Sequence, residues 1–240
     1  MSPLSLLDPF VHLAYACLTA LAGALPVPGG GPALALSVVL LTLLVRAALL
    51  PLAVMGVRAH RARALLAPEI DRLRTRYRGD QARLAREISE LHRRAGVSLF
   101  AGVGPALLQL PVLSTMYRVV VLPTIAGRPN AIVTATLLGS PMSAHWPEVL
   151  AASGLLSAPG ALLLALVLVL AGLAWVSSRQ AAAGASGPGA AASGPPARLL
   201  RALPYVSVPF ALLSPIAVGL YLATTTAWTV AERWILPRVV

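Results

Sequence analysis

The stretch that decides the fold is residues 33–57, ALALSVVLLTLLVRAALLPLAVMGV. It is long enough for a membrane-spanning helix, which needs about 20 mainly apolar residues. It carries a single charge, Arg46, near its middle. An Arg at the bilayer centre costs about 2.5–3.5 kcal/mol on insertion scales and usually faces a water-filled cavity or a polar partner. The stretch therefore predicts a spanning helix that holds a buried guanidinium.

The composition of the whole chain agrees with a membrane protein. Of 240 residues, 58% are hydrophobic and 11% are charged, whereas soluble domains are about 45–50% apolar and about 25% charged. There are 19 basic and 8 acidic residues, for a net charge of +11. In so apolar a chain this excess indicates basic loops on the cytoplasmic side of a membrane, not recognition of a nucleic-acid sequence. One cysteine excludes a disulfide framework and a Cys-based zinc site.

Four further stretches are apolar enough to span, which makes five predicted spans in all. The four that follow 33–57 are 97–123, 159–178, 203–215 and 216–236. The last two form one long apolar segment, and Ser214-Pro215 predicts the bend between them. The sequence therefore predicts an all-α integral membrane protein.

The N-terminal segment 4–25 has two interpretations. It is apolar enough for a sixth span, yet its polar residues recur at helical spacing and so share one face: Asp8, His12, Tyr15 and Thr19. A polar stripe on an apolar helix is typical of an interfacial helix that lies flat on the membrane. We favour the interfacial interpretation.

The distribution of arginine predicts the topology. Segment 58–96 carries 11 Arg and 5 acidic residues, whereas 124–158 carries only Arg128 and Glu148. Basic loops stay in the cytoplasm, so we expect 58–96 and the Ala/Gly/Ser/Pro-rich, flexible loop 179–202 inside and loop 124–158 outside. With five spans, the N-terminus is then outside and the C-terminus cytoplasmic.

The basic segment 58–96 is predicted to be a helical hairpin. Apolar residues repeat at spacings of 3 and 4 on both sides of a Gly79-Asp80 turn: Leu66, Ile70, Leu73 and Tyr77, then Leu84, Ile88 and Leu91. Pro68 is expected in the first turn of the first helix. The alternative is a solvated basic loop that only fixes topology.

No carboxylate is evident near Arg46, because Glu232 lies near the end of the last predicted span and the other acidic residues lie in loops or at the N-terminus. An unpaired central Arg implies water within the helix bundle. Other polar residues of the spans could line the same cavity: Thr42, Gln109, Tyr221, Thr225 and Trp228. Each has a local alternative, since Thr can bond to its own helix and Tyr or Trp can anchor at the interface. Arg118, near the outer surface, is expected to reach lipid headgroups.

Signatures of an enzyme are weak. The four histidines are scattered and no HExxH or paired-carboxylate pattern occurs. Residues 184–187 spell the GxSG of intramembrane serine proteases, but they lie in the low-complexity loop and no His follows them. We therefore expect no catalytic residues, no metal and no cofactor.

Four motifs in order resemble the YidC/Oxa/Alb family of membrane-protein insertases. They are LLTLLVRAALLPLAV (40–54), LLAPEIDRLRTRYRGDQARLAREISELHRRAGVS (65–98), PALLQLPVLSTMYRVV (105–120) and LLSPIAVGLYLATT (212–225). The second is similar to the cytoplasmic hairpin of that family, and the chain resembles its Gram-positive members without a large periplasmic domain. Ser98-Leu99 and Leu222 depart from the family pattern.

The resemblance implies five core helices around a hydrophilic groove that is open to the cytosol and to lipid but closed outside. Arg46 would be the groove arginine, and Thr42, Gln109 and Tyr221 fall at matching motif positions. The implied function is insertion and folding of newly made membrane proteins, alone or with the Sec translocon. The hairpin would contact the translocon, the signal recognition particle receptor and the ribosome. The alternative is a small transporter or channel subunit with a polar intramembrane site.

Overall fold

A computed structural model describes residues 7–96, 104–184 and 202–239 of the chain. These residues form an all-α structure with two small β-ribbons. The helices are α1 (Asp8–Ala24), α2 (Gly30–Ala48), α3 (Leu50–Arg76), α4 (Gln81–Arg94), α5 (Gly104–Val121), α6 (Ala131–Thr134), α7 (Trp146–Ser153), α8 (Ala158–Gly184), α9 (Ser207–Leu212) and α10 (Ile216–Val239), with a 3-10 turn at Leu203–Val206. The strands are β1 (Thr124–Ile125), β2 (Arg128–Pro129), β3 (Thr136–Leu137) and β4 (Ser140–Pro141).

The stretch 33–57, predicted as one helix, is divided between two. Helix α2 ends at Ala48 and α3 begins at Leu50, with Pro51 in its first turn. A proline has no N–H, and its ring clashes with the carbonyl of the residue four positions before it. The break therefore falls where Pro51 would otherwise disrupt a continuous helix, three residues after Arg46.

Helices α3 and α4 pack together as an antiparallel pair. The side chain of Asp80 caps α4 by accepting a hydrogen bond of 2.9 Å from the Arg83 N–H. The apolar residues that predict the hairpin are all partly buried. The expectation that Pro68 begins a helix is wrong, because α3 runs through it from Leu50. A Pro within a helix removes one backbone hydrogen bond, and here α3 continues beyond it to Arg76.

Residues 124–153, called the cap below, are more ordered than a connecting loop. Strands β1 and β2 form one antiparallel ribbon and β3 and β4 another. Asn130 is fully buried, and its Nδ2 donates to the carbonyls of Val119 and Leu122 at 2.5 and 2.8 Å. Its Oδ1 accepts from the Ile132 N–H at 2.9 Å. One amide thus satisfies carbonyls at the end of α5 and starts the short helix α6.

The cap closes one end of the helix bundle. The N–H groups of Ile216 and Ala217, at the start of α10, donate to the carbonyls of Ala144 and Met142. At Gly31, near the start of α2, a Cβ would lie 1.7 Å from the Thr136 carbonyl oxygen, so the ribbon approaches α2 as closely as a glycine allows. Side chains of α1, α2, α5, α8, α9, α10 and the cap share one apolar core.

Within the described residues, two helices are long and apolar enough to cross a membrane by length and composition: Gly30–Ala48 and Ala158–Ala182. Helix α8 is longer than predicted, because residues 179–184 extend it where a flexible loop is expected. Three alanines favour that extension, and Gln180 Nε2 donates to the Val230 carbonyl of α10 at 3.2 Å. Residues 185–201 of the predicted flexible loop, and residues 97–103 of the second predicted span, lie outside the described residues.

The predicted fourth and fifth spans, 203–215 and 216–236, correspond to a 3-10 turn followed by α9, and to α10. Helix α9 ends at Leu212 and α10 starts at Ile216, so the chain changes direction around Ser214 and Pro215.

Candidate functional site

The site is built around Arg46, which α2 directs toward α10. Arg46 is partly buried, and its Nε donates to Thr225 Oγ1 at 2.8 Å. Its Nη2 donates to the same hydroxyl and to the Thr225 carbonyl, the latter at 3.3 Å. Arg46 thus has a hydrogen-bond partner on the facing helix, at a position that the sequence named only as a possible neighbour. Its partner is a neutral threonine, so the site keeps a net positive charge in contact with α10.

A small cavity adjoins the guanidinium. Its volume is about 20 Å³, which is room for about one water molecule. Helices α2, α5 and α10, with Leu49 just after α2, supply its walls: Leu41, Thr42, Val45, Arg46, Leu49, Val112, Met116, Tyr221 and Thr225. Most of these side chains are apolar, so the guanidinium and the hydroxyls concentrate the polarity at one point.

The predicted site residues differ in what the structure shows of them. Thr42 and Tyr221 both line the cavity and are 4% and 3% exposed. Thr42 Oγ1 donates to the Val38 carbonyl of its own helix at 2.7 Å, which is the local role left open above. Gln109 lies in α5, and its side chain falls outside the described part of the chain.

Helix α10 presents a stripe of polar side chains to this site. Its members are spaced by 4, 3 and 4 residues and so lie on one face: Tyr221, Thr225, Trp228 and Glu232. Trp228 Nε1 donates to Glu232 Oε1 at 2.5 Å. The Glu232 carboxylate is near enough to act electrostatically on the Arg46 guanidinium. Sequence reasoning set Glu232 aside as a helix-end residue, although its spacing of 7 from Thr225 is the signal that could have included it.

An apolar cleft of about 690 Å³ continues from the Arg46 cavity between α1, α2 and α5. Val45 and Met116 belong to the walls of both. Phe10 and Leu13 of α1 line the other side of the cleft, together with Leu7, which immediately precedes that helix. The site is thus a cation beside a large apolar cleft, which suits an amphipathic occupant with one polar and one apolar part.

Polar side chains hold α1 to its neighbours. Arg118 Nη2 of α5 bonds Asp8 Oδ1 of α1 at 2.6 Å. The sequence predicted an interface position for Arg118 but did not indicate this partner, which α1 brings to it. Tyr15 OH of α1 donates to the Pro129 carbonyl at 3.3 Å and accepts from the Ala131 N–H at 3.0 Å. These bonds tie α1 to α5 and to the cap.

The hairpin presents a densely charged surface to solvent. Glu90 accepts from Arg93 and Arg94 at 3.2 and 3.1 Å. The hydrogen bond from Arg94, with the charges of both arginines, holds the pKa of Glu90 below its usual range. Arg61 of α3 donates to the Pro237 carbonyl of α10. The hairpin is therefore joined to the same helix that carries the polar stripe.

The described side chains include no group of three or more His, Cys, Asp or Glu residues able to hold a metal ion. The chemistry that the site offers is therefore hydrogen bonding and electrostatics from a guanidinium, hydroxyls and an indole, next to an apolar surface.

Comparison with known proteins places the chain in a family. Residues 29–240 match the family model of the 60Kd inner membrane protein. The chain is 34% identical over 116 residues to the membrane protein insertase YidC of Streptomyces avermitilis, covering 48% of this chain and 27% of that protein. It is 31% identical over 118 residues to the membrane protein insertase YidC of Clostridium perfringens, covering 48% and 50%.

A plant relative is also similar. The ALBINO3-like protein 1, chloroplastic, of Arabidopsis thaliana is 38% identical over 82 residues, which cover 34% of this chain and 16% of that protein. The matched segments thus span half or less of each of these three relatives. Because the family model covers most of the chain, the protein is a member of the 60Kd inner membrane protein family, that of the YidC and ALBINO3 membrane proteins.

Proposed function

We propose that the chain is a membrane protein insertase, which passes the polar tail of a newly made membrane protein across the bilayer while the apolar segment of that client enters lipid. The observation that carries the proposal is Arg46, held by a neutral hydroxyl beside an apolar cleft of about 690 Å³. The polar tail of a client would meet Arg46, and its apolar segment would meet the adjacent apolar cleft. The names of the curated relatives agree with this activity.

The proposed topology has five spans, with the N-terminus and the cap outside and the hairpin and C-terminus in the cytoplasm. The arginine-rich hairpin supports this orientation through the positive-inside rule. The cap supports it as well, since it packs over the bundle end opposite the hairpin and leaves the polar stripe of α10 extending toward the other end.

Helix α1 is proposed to lie in the outer interface. Its 17 residues reach about 25 Å, too short for a comfortable span. Asp8 bonds to Arg118, which lies three residues before the end of α5, and Tyr15 bonds to the cap. The C-terminal end of α1 leads within five residues to Gly30, at the start of α2. All three points lie at the cap end of the bundle, so α1 runs across that end and roofs the groove.

The energetics need no nucleotide. Burial of the apolar segment of a client in lipid contributes roughly 25 cal/mol per Å². An acidic residue that moves outward gains about 2.3 kcal/mol per 100 mV of membrane potential. The Arg46 charge lowers the barrier for a polar tail within the bilayer. Thr42, Gln109, Tyr221, Thr225 and Trp228 are proposed to supply further polar contacts.

The proposed partners follow from the same picture. The proposed clients are nascent membrane proteins, and the lipid bilayer is the medium that receives their apolar segments. The hairpin, which is basic and exposed, is proposed to contact the signal recognition particle receptor, the ribosome or the Sec translocon. Its attachment to α10 through Arg61 and the Pro237 carbonyl would couple such contacts to the groove.

The test is reconstitution into liposomes with a single-span client that has a short N-terminal tail, scored by protection of the tail from added protease. We expect wild-type protein to insert the client, Arg46→Lys to retain much of that activity, and Arg46→Ala to lose it. Lys keeps the charge, although it cannot repeat the contacts that two guanidinium nitrogens make with Thr225. Arg128→Ala removes an equal charge from the exposed cap and is the matched control. Full activity of a folded Arg46→Ala protein would refute the electrostatic role.

Cysteine labelling in the same liposomes distinguishes an insertase from a transporter. Thr42→Cys, in a background that carries Cys17→Ser, reports which side of the membrane reaches the site while Arg46 stays in place. Labelling from the hairpin side alone supports a dead-ended groove. Labelling from both sides, with flux of small solutes and no client insertion, would support a channel instead.

A further inference from the structure

The polar stripe of α10 contains an acidic member whose role the proposed insertase function leaves open. Glu232 lies seven residues after Thr225 on the same face of α10, which puts its backbone about 10 Å further along the helix. That displacement is directed away from the cap, since Ile216 at the start of α10 bonds to the cap. In the proposed topology, Glu232 therefore stands between Arg46 and the cytoplasm.

An uncharged hydrogen-bond donor holds the Glu232 carboxylate in place. Trp228 Nε1 donates to Glu232 Oε1 at 2.5 Å, and both side chains are partly buried. Among the described side chains, no arginine lies within 4.0 Å of Glu232 to form an ion pair, whereas its charge acts on Arg46 from a greater distance. An indole N–H orients a carboxylate without neutralising it. Glu232 thus places a carboxylate, bonded to an uncharged indole, at the approach to the positive site.

We propose that Glu232 is a specificity-determining residue that disfavours acidic client tails at the cytoplasmic entrance of the groove and so offsets the preference of Arg46 for them. The inference rests on the proposed insertase function and its orientation. The site then favours clients whose tails are neutral or weakly charged. A tail that carries an Asp must pass Glu232 before it can gain from Arg46.

The separation along α10 gives the size of the effect. An acidic tail residue beside Arg46 lies about 10 Å from Glu232. Two unit charges at about 10 Å change an equilibrium by about 2-fold when the effective dielectric constant is about 80, and by about 15-fold when it is about 20. Removal of the Glu232 charge should therefore raise the insertion of an acidic tail, relative to a neutral one, by a factor within this range.

The experiment uses the full chain in liposomes without a membrane potential. Two clients share one apolar segment and differ by one Asn or Asp in the tail, and the measured quantity is the ratio of acidic-tail to neutral-tail insertion. We expect Glu232→Gln and Glu232→Ser to raise this ratio, Glu232→Asp to leave it near the wild-type value, and added salt to reduce the difference. Glu69→Gln, which removes an exposed carboxylate of the hairpin, is the matched control and should leave the ratio unchanged.

The outcomes separate the two claims. If wild-type protein inserts the neutral-tail client and neither neutral variant changes the ratio, the role of Glu232 is refuted and the insertase function stands. If wild-type protein inserts neither client, the proposed function itself is refuted. A purely structural role for Glu232 would lower insertion of both clients equally and leave the ratio constant, which also overturns the inference.

Discussion

Replacement of Thr225 by valine tests how the buried charge is held. The change keeps the shape of the side chain and removes the hydroxyl that accepts from both Nε and Nη2 of Arg46. The bond from Nη2 to the Thr225 carbonyl at 3.3 Å remains. A hydrogen bond to a charged group contributes about 1.5–3 kcal/mol, and the adjoining cavity has room for about one water that can replace one of the two. We therefore expect Thr225→Val to lower the free energy of unfolding by about 2 kcal/mol.

The chain carries its own probe for this measurement. Cys17 is the single cysteine and is partly buried against the apolar core, so a thiol-reactive dye reports unfolding as denaturant is added to the detergent-solubilised protein. In an Arg46→Ala background the bonds from Nε and Nη2 are already absent, so Thr225→Val should cost clearly less than it does in the presence of Arg46. Thr224→Val is the matched control, because Thr224 bonds to the Leu220 carbonyl of its own helix at 2.8 Å. Equal costs of Thr225→Val with and without Arg46 would refute the reasoning.

Two further changes test how the cap end is closed. Asp8→Asn removes the carboxylate that bonds Arg118 at 2.6 Å; since both side chains are partly exposed, we expect a loss of only about 1 kcal/mol in the same unfolding assay, and an unchanged midpoint would show that this ion pair does not hold α1. Gly31→Ala would place a Cβ 1.7 Å from the Thr136 carbonyl oxygen, so we expect a cost of several kcal/mol or failure to fold, as for other overpacked sites. Gly30→Ala, which meets nothing within 4 Å, should be tolerated, and equal effects of the two alanines would contradict the close approach.

The elements that the sequence predicts well are those fixed by local pattern. Runs of apolar residues and the single Arg46 within one of them follow from composition, as do the turn at Gly79-Asp80 and the change of direction at Pro215. Proline gave mixed results for a physical reason. Pro51 divides a predicted helix in two, whereas Pro68 is accommodated within α3. Whether the neighbouring backbone can yield depends on packing that a local pattern does not contain.

The contacts that the sequence could not predict join residues far apart in the chain. Arg46 and Thr225 are 179 positions apart, and Asp8 and Arg118 are 110 apart. Each pairing is decided by how the helices pack, and a single sequence contains no direct record of that. The sequence predicted no acidic partner for Arg46 and named Thr225 among the polar residues that could surround it, but it could not show that the two side chains are bonded. The bonded group is the Thr225 hydroxyl of α10. The spacing of polar residues indicates which face of α10 carries Thr225, but it does not indicate which helix that face contacts.

The dimensions of the site bear on how a client would enter. The cavity at Arg46 has room for about one water molecule, so a peptide tail cannot occupy it while α2, α5 and α10 keep the positions described here. The neighbouring cleft of about 690 Å³ is large enough for apolar side chains, but its walls are almost wholly apolar. If the chain inserts clients as proposed, the polar tail must therefore separate Arg46 from Thr225 and widen the cavity as it enters. A neutral hydroxyl releases the Arg46 guanidinium more easily than a carboxylate would, because its hydrogen bonds are weaker than a buried ion pair. The guanidinium then forms new bonds with the tail. A carboxylate at position 225 would hold the site closed more firmly.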